Sequence, residues 1–166
     1  MTDAEITVRR LSPDDWTIER DLRIAALADA PAAFGSHLSD AEGFSEADWR
    51  SRLSGQLRFT AWLNDEPVGT VGFAAARDPY PAGTAILVGM WIAPFARGHG
   101  VANRLVAAVV EQCRRDGMTA IWLSVSDGNV VAERLYARHG FARSGTDLEG
   151  DGDTFDMVQP LDQMAP

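Results

Sequence analysis

The spacing of apolar and polar residues near the start of the chain predicts a strand followed by a helix. Apolar residues alternate with polar ones over residues 6–11, which is typical of a short, half-buried strand. Pro13 and the two aspartates after it favour a helix start, because proline suits the first helical position and acids favour the positive end of the helix dipole. We expect this helix to end near Asp29, since Pro31 prevents its continuation.

The next stretch predicts a loop, a second helix and a hairpin. Residues 34–44 are expected to form a loop. Ser45 is a suitable N-cap for a short helix that carries Trp49. From residue 57 the apolar period falls to two on both sides of a turn at residues 64–67, which predicts a β-hairpin.

The second half of the chain alternates between strands and helices. Residues 84–92 are almost continuously apolar, which predicts a central strand buried on both faces. Three further elements follow from their apolar periods: a helix over residues 98–117, a strand over residues 120–125 and a helix over residues 129–139. Residues 141–144 and 154–158 predict a final hairpin around an acidic, glycine-rich loop. This order of elements implies a mixed sheet flanked by helices.

The charge composition excludes several classes of function. All 15 basic residues are arginine, so a phosphate-loop lysine and a Schiff-base lysine are both impossible. The acidic residues number 24, and the net charge of −9 argues against binding nucleic acid or anionic membranes by bulk electrostatics. A cationic partner fits this charge better. The three histidines are scattered, and no pair has the spacing of metal ligands, so we expect no metal site.

The single cysteine and the amino terminus favour a reducing compartment. Cys113 alone cannot form a disulfide framework, and we interpret it as a packing residue of its helix rather than a nucleophile. The chain contains no apolar run of about 18 residues, and its amino terminus has neither a basic region nor an apolar stretch. We therefore expect a cytoplasmic protein.

The most informative segment follows the predicted central strand. Residues 90–102 run from the end of this strand, through a turn that contains Arg97, Gly98 and Gly100, into the next helix. Glycines let the backbone approach a ligand, and the first amides of a helix have no internal acceptors. With the helix dipole they form an anion site suited to pyrophosphate, to which Arg97 adds charge. The alternative is a tight turn whose glycines only allow close packing.

A second pattern follows in the next predicted helix. It consists of Asn129, Ala132, Leu135, Tyr136, Gly140 and Phe141. In their order and separation the two motifs resemble those of the GNAT superfamily of acyl-CoA-dependent N-acetyltransferases. The resemblance covers the element order from about residue 6 to residue 161 and is most specific over residues 90–141.

The resemblance implies a fold. This would be a single N-acetyltransferase domain over residues 1–166, with a core over about residues 6–161, in the α/β (α+β) class. Its sheet would be mixed and mostly antiparallel, with six or seven strands, about four flanking helices and splayed central strands.

The resemblance also implies how the coenzyme would be held. The backbone of Met90 and Ile92 would pair with the acetyl carbonyl and the pantetheine amides, and the Met90 amide would polarise the carbonyl. The pyrophosphate of coenzyme A would lie on the backbone amides of the turn, which belong to Arg97, Gly98, His99, Gly100, Val101 and Ala102.

The second motif would supply the remaining site residues. Asn129 and Ala132 would belong to the coenzyme-binding set, with Asn129 bonded to the pantetheine arm. Tyr136 would be the general acid that protonates the thioester sulfur as it leaves. The alternative for Tyr136 is a core aromatic residue.

Three positions depart from the commonest pattern of the family. Ala102 replaces a glycine, His99 stands where a lysine or arginine is frequent, and Ile86 stands where several members carry a glutamate base. The base that deprotonates the acceptor therefore stays open. The candidates are Ser124, Ser126, Asp127, Glu42, Asp40 and a chain of water molecules.

The implied function is transfer of an acetyl group from acetyl-CoA to a primary amine of a small molecule or peptide, by direct attack in a ternary complex. Two alternatives stay open, an acyl-CoA-binding sensor with little turnover and an acyltransferase for protein amino termini or longer acyl chains. The expected partners are acetyl-CoA and an amine, for which the acidic composition favours a cationic compound. No metal, nucleic acid or membrane partner is expected, and the chain would be a monomer or homodimer.

Overall fold

The computed structural model describes residues 5–34, 36–150 and 152–161, which form seven strands and five α-helices. The strands are β1 (Ile6–Arg10), β2 (Leu57–Leu63), β3 (Glu66–Ala75), β4 (Ala85–Ile92), β5 (Ala120–Ser126), β6 (Ala142–Arg143) and β7 (Thr154–Pro160). The helices are α1 (Trp16–Asp29), α2 (Leu38–Glu42), α3 (Glu46–Gly55), α4 (Val101–Arg115) and α5 (Val130–Arg138). Among the described residues, none of the helices has the length and apolar character needed to cross a membrane.

All seven strands belong to one sheet, in the order β1-β2-β3-β4-β5-β7-β6. β1 pairs with β2 in antiparallel orientation, and Ile6 lies opposite Leu63. β4 and β5 are parallel, with Ala85 opposite Ile121. β7 lies between β5 and β6 and is antiparallel to both. The predicted mixed, mostly antiparallel α/β fold is confirmed.

The Cα positions divide the chain into two compact units. Unit 1 comprises Met1–Gly72 and Gly89–Leu105, and unit 2 comprises Phe73–Val88 and Val106–Pro166. Unit 1 therefore holds α1, α2, α3, β1, β2 and the turn before α4, whereas unit 2 holds β5, β6, β7 and α5. The single domain over residues 1–166 stays a prediction.

The N-terminal helices form where their capping residues predict them. α1 follows one 3-10 turn at Pro13–Asp15 and ends at Asp29, as expected from Pro31. Before α3, the Ser45 hydroxyl accepts the Asp48 N–H at 3.2 Å, and the Asp48 carboxylate accepts the Ser45 N–H at 2.9 Å. This reciprocal pair is a capping box, and the predicted N-cap is confirmed.

The prediction that residues 34–44 form a loop is wrong for their central part. Leu38–Glu42 forms α2, which raises the number of helices from about four to five. A helix of five residues spans little more than one turn, so its sequence cannot show an apolar period. Ala41 of α2 is buried in a cluster with Leu27 of α1 and Trp49 of α3. Tertiary packing therefore stabilises this helix more than its own sequence does.

The prediction that β4 is buried on both faces is also wrong, although β4 does occupy the centre of the sheet. Ala85 and Leu87 are buried, whereas Ile86, Val88 and Met90 are half-buried. Successive side chains of a strand point to opposite faces, so one face of β4 is less covered than the other over this stretch. An uninterrupted apolar sequence does not reveal this difference, because both faces look alike in it.

A buried ion cluster connects the helices of unit 1 to its strands. Glu19 of α1 is fully buried, and its carboxylate lies 3.0 Å from Arg52 Nε on α3 and 3.1 Å from Arg58 Nε on β2. The contact with Arg58 is an ion pair without the alignment of a hydrogen bond. Arg58 donates to Thr70 Oγ1 on β3 at 2.9 Å and to the Gly89 carbonyl on β4 at 3.3 Å. One carboxylate thus links two helices to three strands.

Helix α4 buries a continuous apolar face. Its buried residues are Val101, Leu105, Val106, Val109, Val110 and Cys113. Cys113 is fully buried, and this burial raises the pKa of its thiol to about 12. A thiol that stays protonated and out of contact with solvent agrees with the interpretation of Cys113 as a packing residue.

Unit 2 contains a buried acid beside the β5–β7 ladder. Asp156 of β7 is buried, and its carboxylate accepts the Leu148 N–H at 2.7 Å and the Tyr80 hydroxyl at 3.3 Å. The Tyr80 ring packs against Trp122 of β5, with ring centroids 5.7 Å apart. These contacts attach the loop before β7 to the sheet.

The acidic loop before β7 uses carboxylates for its own structure. Asp147 accepts the Gly150 N–H at 2.9 Å, and Glu149 accepts the Tyr80 hydroxyl at 3.2 Å. Asp151, also part of this loop, lies outside the described residues. These bonds lie within the loop and between the loop and Tyr80, as expected for the tip of a hairpin.

The ion cluster of unit 1 predicts an unequal effect of removing two glutamate charges. Glu19→Gln leaves buried arginines without their carboxylate, so we expect the free energy of unfolding to fall by about 3–5 kcal/mol. Glu111 pairs with Arg115 on the surface of α4, and Glu111→Gln should change the free energy of unfolding by about 0.5 kcal/mol or less. Urea denaturation of both variants measures this, and equal effects would contradict the role given to Glu19.

Candidate active site

The end of β4, the turn and the start of α4 form one continuous structure in unit 1. The Ala93 N–H donates to the Val68 carbonyl at 2.8 Å, and Pro94–Ala96 forms a 3-10 turn. Gly98 and Gly100 then adopt φ angles of +83° and +82°, and α4 begins at Val101. Non-glycine residues rarely adopt such angles, so both glycines are required by the backbone. The predicted strand–turn–helix segment is confirmed.

The turn presents backbone amides that have no acceptor. Among the described residues, no carbonyl accepts the N–H of Gly98, His99 or Gly100. These groups stand at the N-terminal end of α4, where the helix dipole adds a partial positive charge. The Arg97 amide differs, because it donates to the Pro94 carbonyl at 3.4 Å. The amides of residues 98–100 therefore form the part of the turn best suited to an anion.

Asp29 anchors the turn to α1, a contact that the sequence analysis missed. Its carboxylate accepts Trp91 Nε1 at 3.0 Å and Arg97 Nη2 at 2.8 Å, and these bonds lower the pKa of Asp29. Arg97 Nε also donates to the Ile92 carbonyl at 3.0 Å. The guanidinium of Arg97 is thus held by protein groups. An acid in the last turn of a helix opposes the helix dipole, and this was the signal available in the sequence.

A break in β4 precedes Met90. Gly89 adopts a φ of +62°, an angle outside the range of regular strands. Its carbonyl accepts Arg58 Nη2, and a Cβ atom at this position would lie 3.0 Å from Arg58 Nη1. The regular pleat is therefore interrupted directly before the residue whose amide is predicted to polarise the acetyl carbonyl. Met90 itself is half-buried.

Unit 2 carries the residues of the second motif on α5 and directly beside its two ends. Asn129 is the exposed N-cap, and its side-chain oxygen accepts the Ala132 N–H at 3.1 Å. The Ala132 N–H is therefore already bonded within the helix. The side-chain NH2 group of Asn129 remains available to donate a hydrogen bond to a ligand. The cap explains locally why an asparagine stands here.

Tyr136 is a buried phenol near the end of α5. Its residue is 7% exposed, and its ring packs edge-on against Phe141 with centroids 5.7 Å apart. Burial raises the pKa of Tyr136 to about 12. The hydroxyl is therefore protonated throughout the neutral range and is available as a hydrogen-bond donor.

The predicted site residues are thus distributed over both units. Met90, Ile92 and residues 97–102 belong to unit 1, and Asn129, Ala132 and Tyr136 belong to unit 2. Within the described part of the chain, no group of three or more histidine, cysteine, aspartate or glutamate residues is arranged to hold a metal ion.

The candidate bases also fall into two groups. Asp40 is exposed on α2 and lines a cavity of unit 1, and Glu42 is the last residue of the same helix. Ser124 and Ser126 share the exposed face of β5, and Asp127 follows them in a turn. Asp40 differs from the other candidates because it lines a cavity together with Arg23 of α1.

A comparison with known families decides the classification. The model of the acetyltransferase (GNAT) family matches residues 21–141, which include both motifs. This chain belongs to the GNAT acetyltransferase family. The resemblance noted from its motifs is thereby confirmed.

Relatives within this family differ in length and in name. A mycothiol acetyltransferase of Brachybacterium faecium is 32% identical over 151 residues, which cover 86% of this GNAT chain and 44% of the relative. A phosphinothricin N-acetyltransferase of Streptomyces coelicolor is 26% identical over 152 residues, which cover 86% of the chain and 85% of the relative. The chain thus spans less than half the length of the mycothiol acetyltransferase that it matches.

Solved structures confirm the fold. A GNAT acetyltransferase from Streptococcus pneumoniae superposes with a TM-score of 0.76 at 20% identity, covering 95% of this chain and 100% of the other. The PaiA N-acetyltransferase of Thermoplasma acidophilum, solved in complex with coenzyme A, superposes with a TM-score of 0.73 at 18% identity, covering 95% and 99%. The architecture of this GNAT chain is therefore shared across sequences that have diverged widely.

The environment of the two tyrosines predicts their ionisation. Burial raises the pKa of Tyr136 to about 12, and burial together with Asp156 and Glu149 raises the pKa of Tyr80 as well. The folded protein should therefore show almost no tyrosinate absorbance at about pH 10.5, where unfolded tyrosine of pKa ~10 is mostly ionised. A spectrophotometric titration in buffer and in guanidinium chloride measures this. A midpoint near pH 10 in the folded protein would contradict the burial of both phenols.

Proposed function

We propose that this GNAT chain transfers the acetyl group of acetyl-CoA to a primary amine by direct attack in a ternary complex. The observation that carries the proposal is the set of amides at Gly98, His99 and Gly100 that have no acceptor among the described residues, placed at the start of α4 in a family that uses acetyl-CoA. The names of the relatives, mycothiol acetyltransferase and phosphinothricin N-acetyltransferase, support acetyl transfer but differ in acceptor.

Backbone amides would carry most of the contact with the pyrophosphate. The chain has no lysine, and the Arg97 guanidinium is already paired with Asp29 at 2.8 Å. His99 is exposed in the turn and can donate a further hydrogen bond. Because the amides are held by the backbone, their direction does not depend on mobile side chains. Together with Val101 and Ala102 they form the proposed pyrophosphate site.

Polarisation of the acetyl carbonyl is assigned to the Met90 amide. A fixed backbone N–H that points at a developing oxyanion lowers the barrier of acyl transfer without reorganisation. The break at Gly89 supports this assignment, because a residue with positive φ directly before Met90 disturbs the regular hydrogen bonding of the strand. Ile92, two residues on, would contact the pantetheine arm with its backbone.

We assign to Tyr136 the stabilisation of the leaving sulfur. Its pKa of about 12 lies above that of an ordinary thiol, ~8.5, so the phenol holds its proton more firmly than the departing thiolate would. We therefore propose that Tyr136 stabilises the leaving sulfur by hydrogen bonding and does not transfer its proton completely. Tyr136 donates a hydrogen bond to the sulfur, and this bond strengthens as negative charge develops there. Asn129 would hold the pantetheine arm through its side-chain amide.

The acceptor amine must lose a proton before it attacks. An alkyl ammonium group has a pKa of ~10, so a base or water chain has to accept that proton at neutral pH. Asp40 is the proposed base, since it lines the cavity of the unit that also contains Met90. Ile86 stands where several family members carry a glutamate, and its half-buried apolar side chain on β4 cannot accept a proton.

One observation favours a second function, a sensor that binds the coenzyme with little turnover. β4 carries no acid that could deprotonate an acceptor amine. Such a chain would bind coenzyme A through the same amides and leave the acetyl group in place.

Thiol release distinguishes the two functions. The chain is incubated with acetyl-CoA and a panel of primary amines, and the coenzyme A released is measured with a thiol reagent. Binding of coenzyme A to the chain is measured separately by calorimetry. Transfer predicts amine-dependent release and a matching N-acetylated product. Calorimetric binding with no release on any amine would contradict transfer and support the sensor.

The role of Tyr136 predicts a loss of turnover in a conservative variant. Tyr136→Phe removes the hydroxyl and keeps the ring that packs against Phe141, so kcat should fall about tenfold or more while KM for acetyl-CoA changes little. Tyr80→Phe is the matched control, because its hydroxyl binds Asp156 and Glu149. It should lower stability and keep kcat. Unchanged turnover of Tyr136→Phe across the pH range would refute the assignment.

A further inference from the structure

A cavity of about 510 Å³ lies in unit 1 beside α1, α2 and α3. Its lining includes Arg23 of α1, Arg52 of α3, Asp40 of α2, Ser36 and Phe44. The volume falls within the range of small-molecule sites, ~300–1,000 Å³. The cavity therefore combines space for a ligand with groups of both charges.

Arg23 is a buried cation without a hydrogen-bonding anion. The residue is 8% exposed, and its guanidinium carbon lies 4.9 Å from the centroid of the Phe34 ring. Among the residues that the structure describes, none accepts a hydrogen bond from this guanidinium. Burying a charge in this way is costly unless an anion approaches it.

The charged groups around Arg23 do not supply that anion. Arg52 and Arg58 repel it, and Glu19 attracts it. Both oxygens of Glu19 are already in contact with Arg52 and Arg58, at 3.0 and 3.1 Å. Burial, with the two neighbouring arginines, lowers the pKa of Arg23 to about 10, which still leaves it protonated at neutral pH. Three cations therefore share one carboxylate.

Arg23 also lies next to the reacting part of β4. Its Nη1 atom is 3.6 Å from the point where a Cβ atom on Gly89 would stand. Gly89 directly precedes Met90, whose amide is assigned to the acetyl carbonyl. A group bound to Arg23 from the cavity is therefore within a few bonds of the position where the amine must attack.

We propose that Arg23, assisted by Arg52, binds a carboxylate of the acceptor, so that the acceptor is an amino acid or a similar amino-carboxylate. This inference rests on the proposed transfer to a primary amine. The planar guanidinium matches a carboxylate in two parallel hydrogen bonds. Asp40 in the same cavity faces the ammonium end of such a zwitterion. The overall charge of −9 favours a cationic acceptor. The local positive charge at Arg23 and Arg52 favours an acceptor with a carboxylate instead.

Paired substrates test the carboxylate. Thiol release from acetyl-CoA is measured with the twenty L-amino acids, with their carboxamides and with the corresponding aminophosphonates. For the preferred side chain, kcat/KM of the free carboxylate should exceed that of the carboxamide about tenfold or more, because the carboxamide cannot complete the charged pair. Preference for the aminophosphonates, or equal use of carboxamides, would overturn the inference and leave the transfer itself standing.

The arginine is tested by Arg23→Gln against Arg20→Gln. Arg20 lies on the same helix and pairs with Asp21 at 2.9 Å, on the surface. Arg23→Gln should lower kcat/KM for the free carboxylates about tenfold or more and so abolish their preference over the carboxamides, whereas Arg20→Gln should retain the preference. Because no described residue accepts a hydrogen bond from Arg23 and burial of its charge is costly, its replacement should not lower the melting temperature. Retention of the preference in Arg23→Gln would overturn the inference.

A binding measurement keeps the inference testable without turnover. The N-acetyl-L-amino acids, which are the products of the proposed reaction, are added to the wild type and to both variants, and the melting temperature is recorded. A rise in the wild type and Arg20→Gln, absent in Arg23→Gln and absent for the N-acetyl amino acid amides, supports the carboxylate site. No rise in the wild type for any of the twenty compounds would overturn it. If no amine releases coenzyme A, the proposed transfer fails. The melting temperatures then show by themselves whether Arg23 binds a carboxylate.

Discussion

The buried carboxylate of Glu19 is the contact on which the arrangement of unit 1 depends. It reaches Arg52 on α3 and Arg58 on β2, and Arg58 extends the connection to the Gly89 carbonyl on β4. A buried ion pair adds little stability compared with apolar packing, but it fixes geometry, since each partner is costly without the others. In this chain that geometry sets the break of β4 before Met90 and the position of α1 beside it.

The same cluster gives unit 1 a local charge that differs from the overall charge of the chain. The chain carries a net charge of −9, yet three arginines lie around the one carboxylate of Glu19, and two of them, Arg23 and Arg52, line the cavity. Coulomb interactions are stronger in a buried environment and are screened at the surface. The local cations therefore outweigh distant acidic residues, several of which serve their own loops, as Asp147 does.

Features encoded by neighbouring residues could be predicted from the sequence. The capping box at Ser45, the end of α1 and the turn at Gly98 and Gly100 each depend on residues within a few positions of one another. Features that depend on distant residues could not be predicted. α2 exists through packing against α1 and α3, and the cluster of Glu19 joins residues that lie far apart in the sequence. The role of Asp29 belongs to the same class, because its partner Arg97 lies 68 residues away.

Binding of acetyl-CoA is proposed to depend on the amides of Gly98, His99 and Gly100, which have no acceptor among the described residues and would hold the pyrophosphate. The most direct test is amide nuclear magnetic resonance of the isotope-labelled chain during titration with coenzyme A. If these amides hold the pyrophosphate, the amide signals of Gly98, His99 and Gly100 should move furthest, and in the direction of a new hydrogen bond to phosphate. Saturation by coenzyme A that leaves these three signals in place while other amides shift would contradict it.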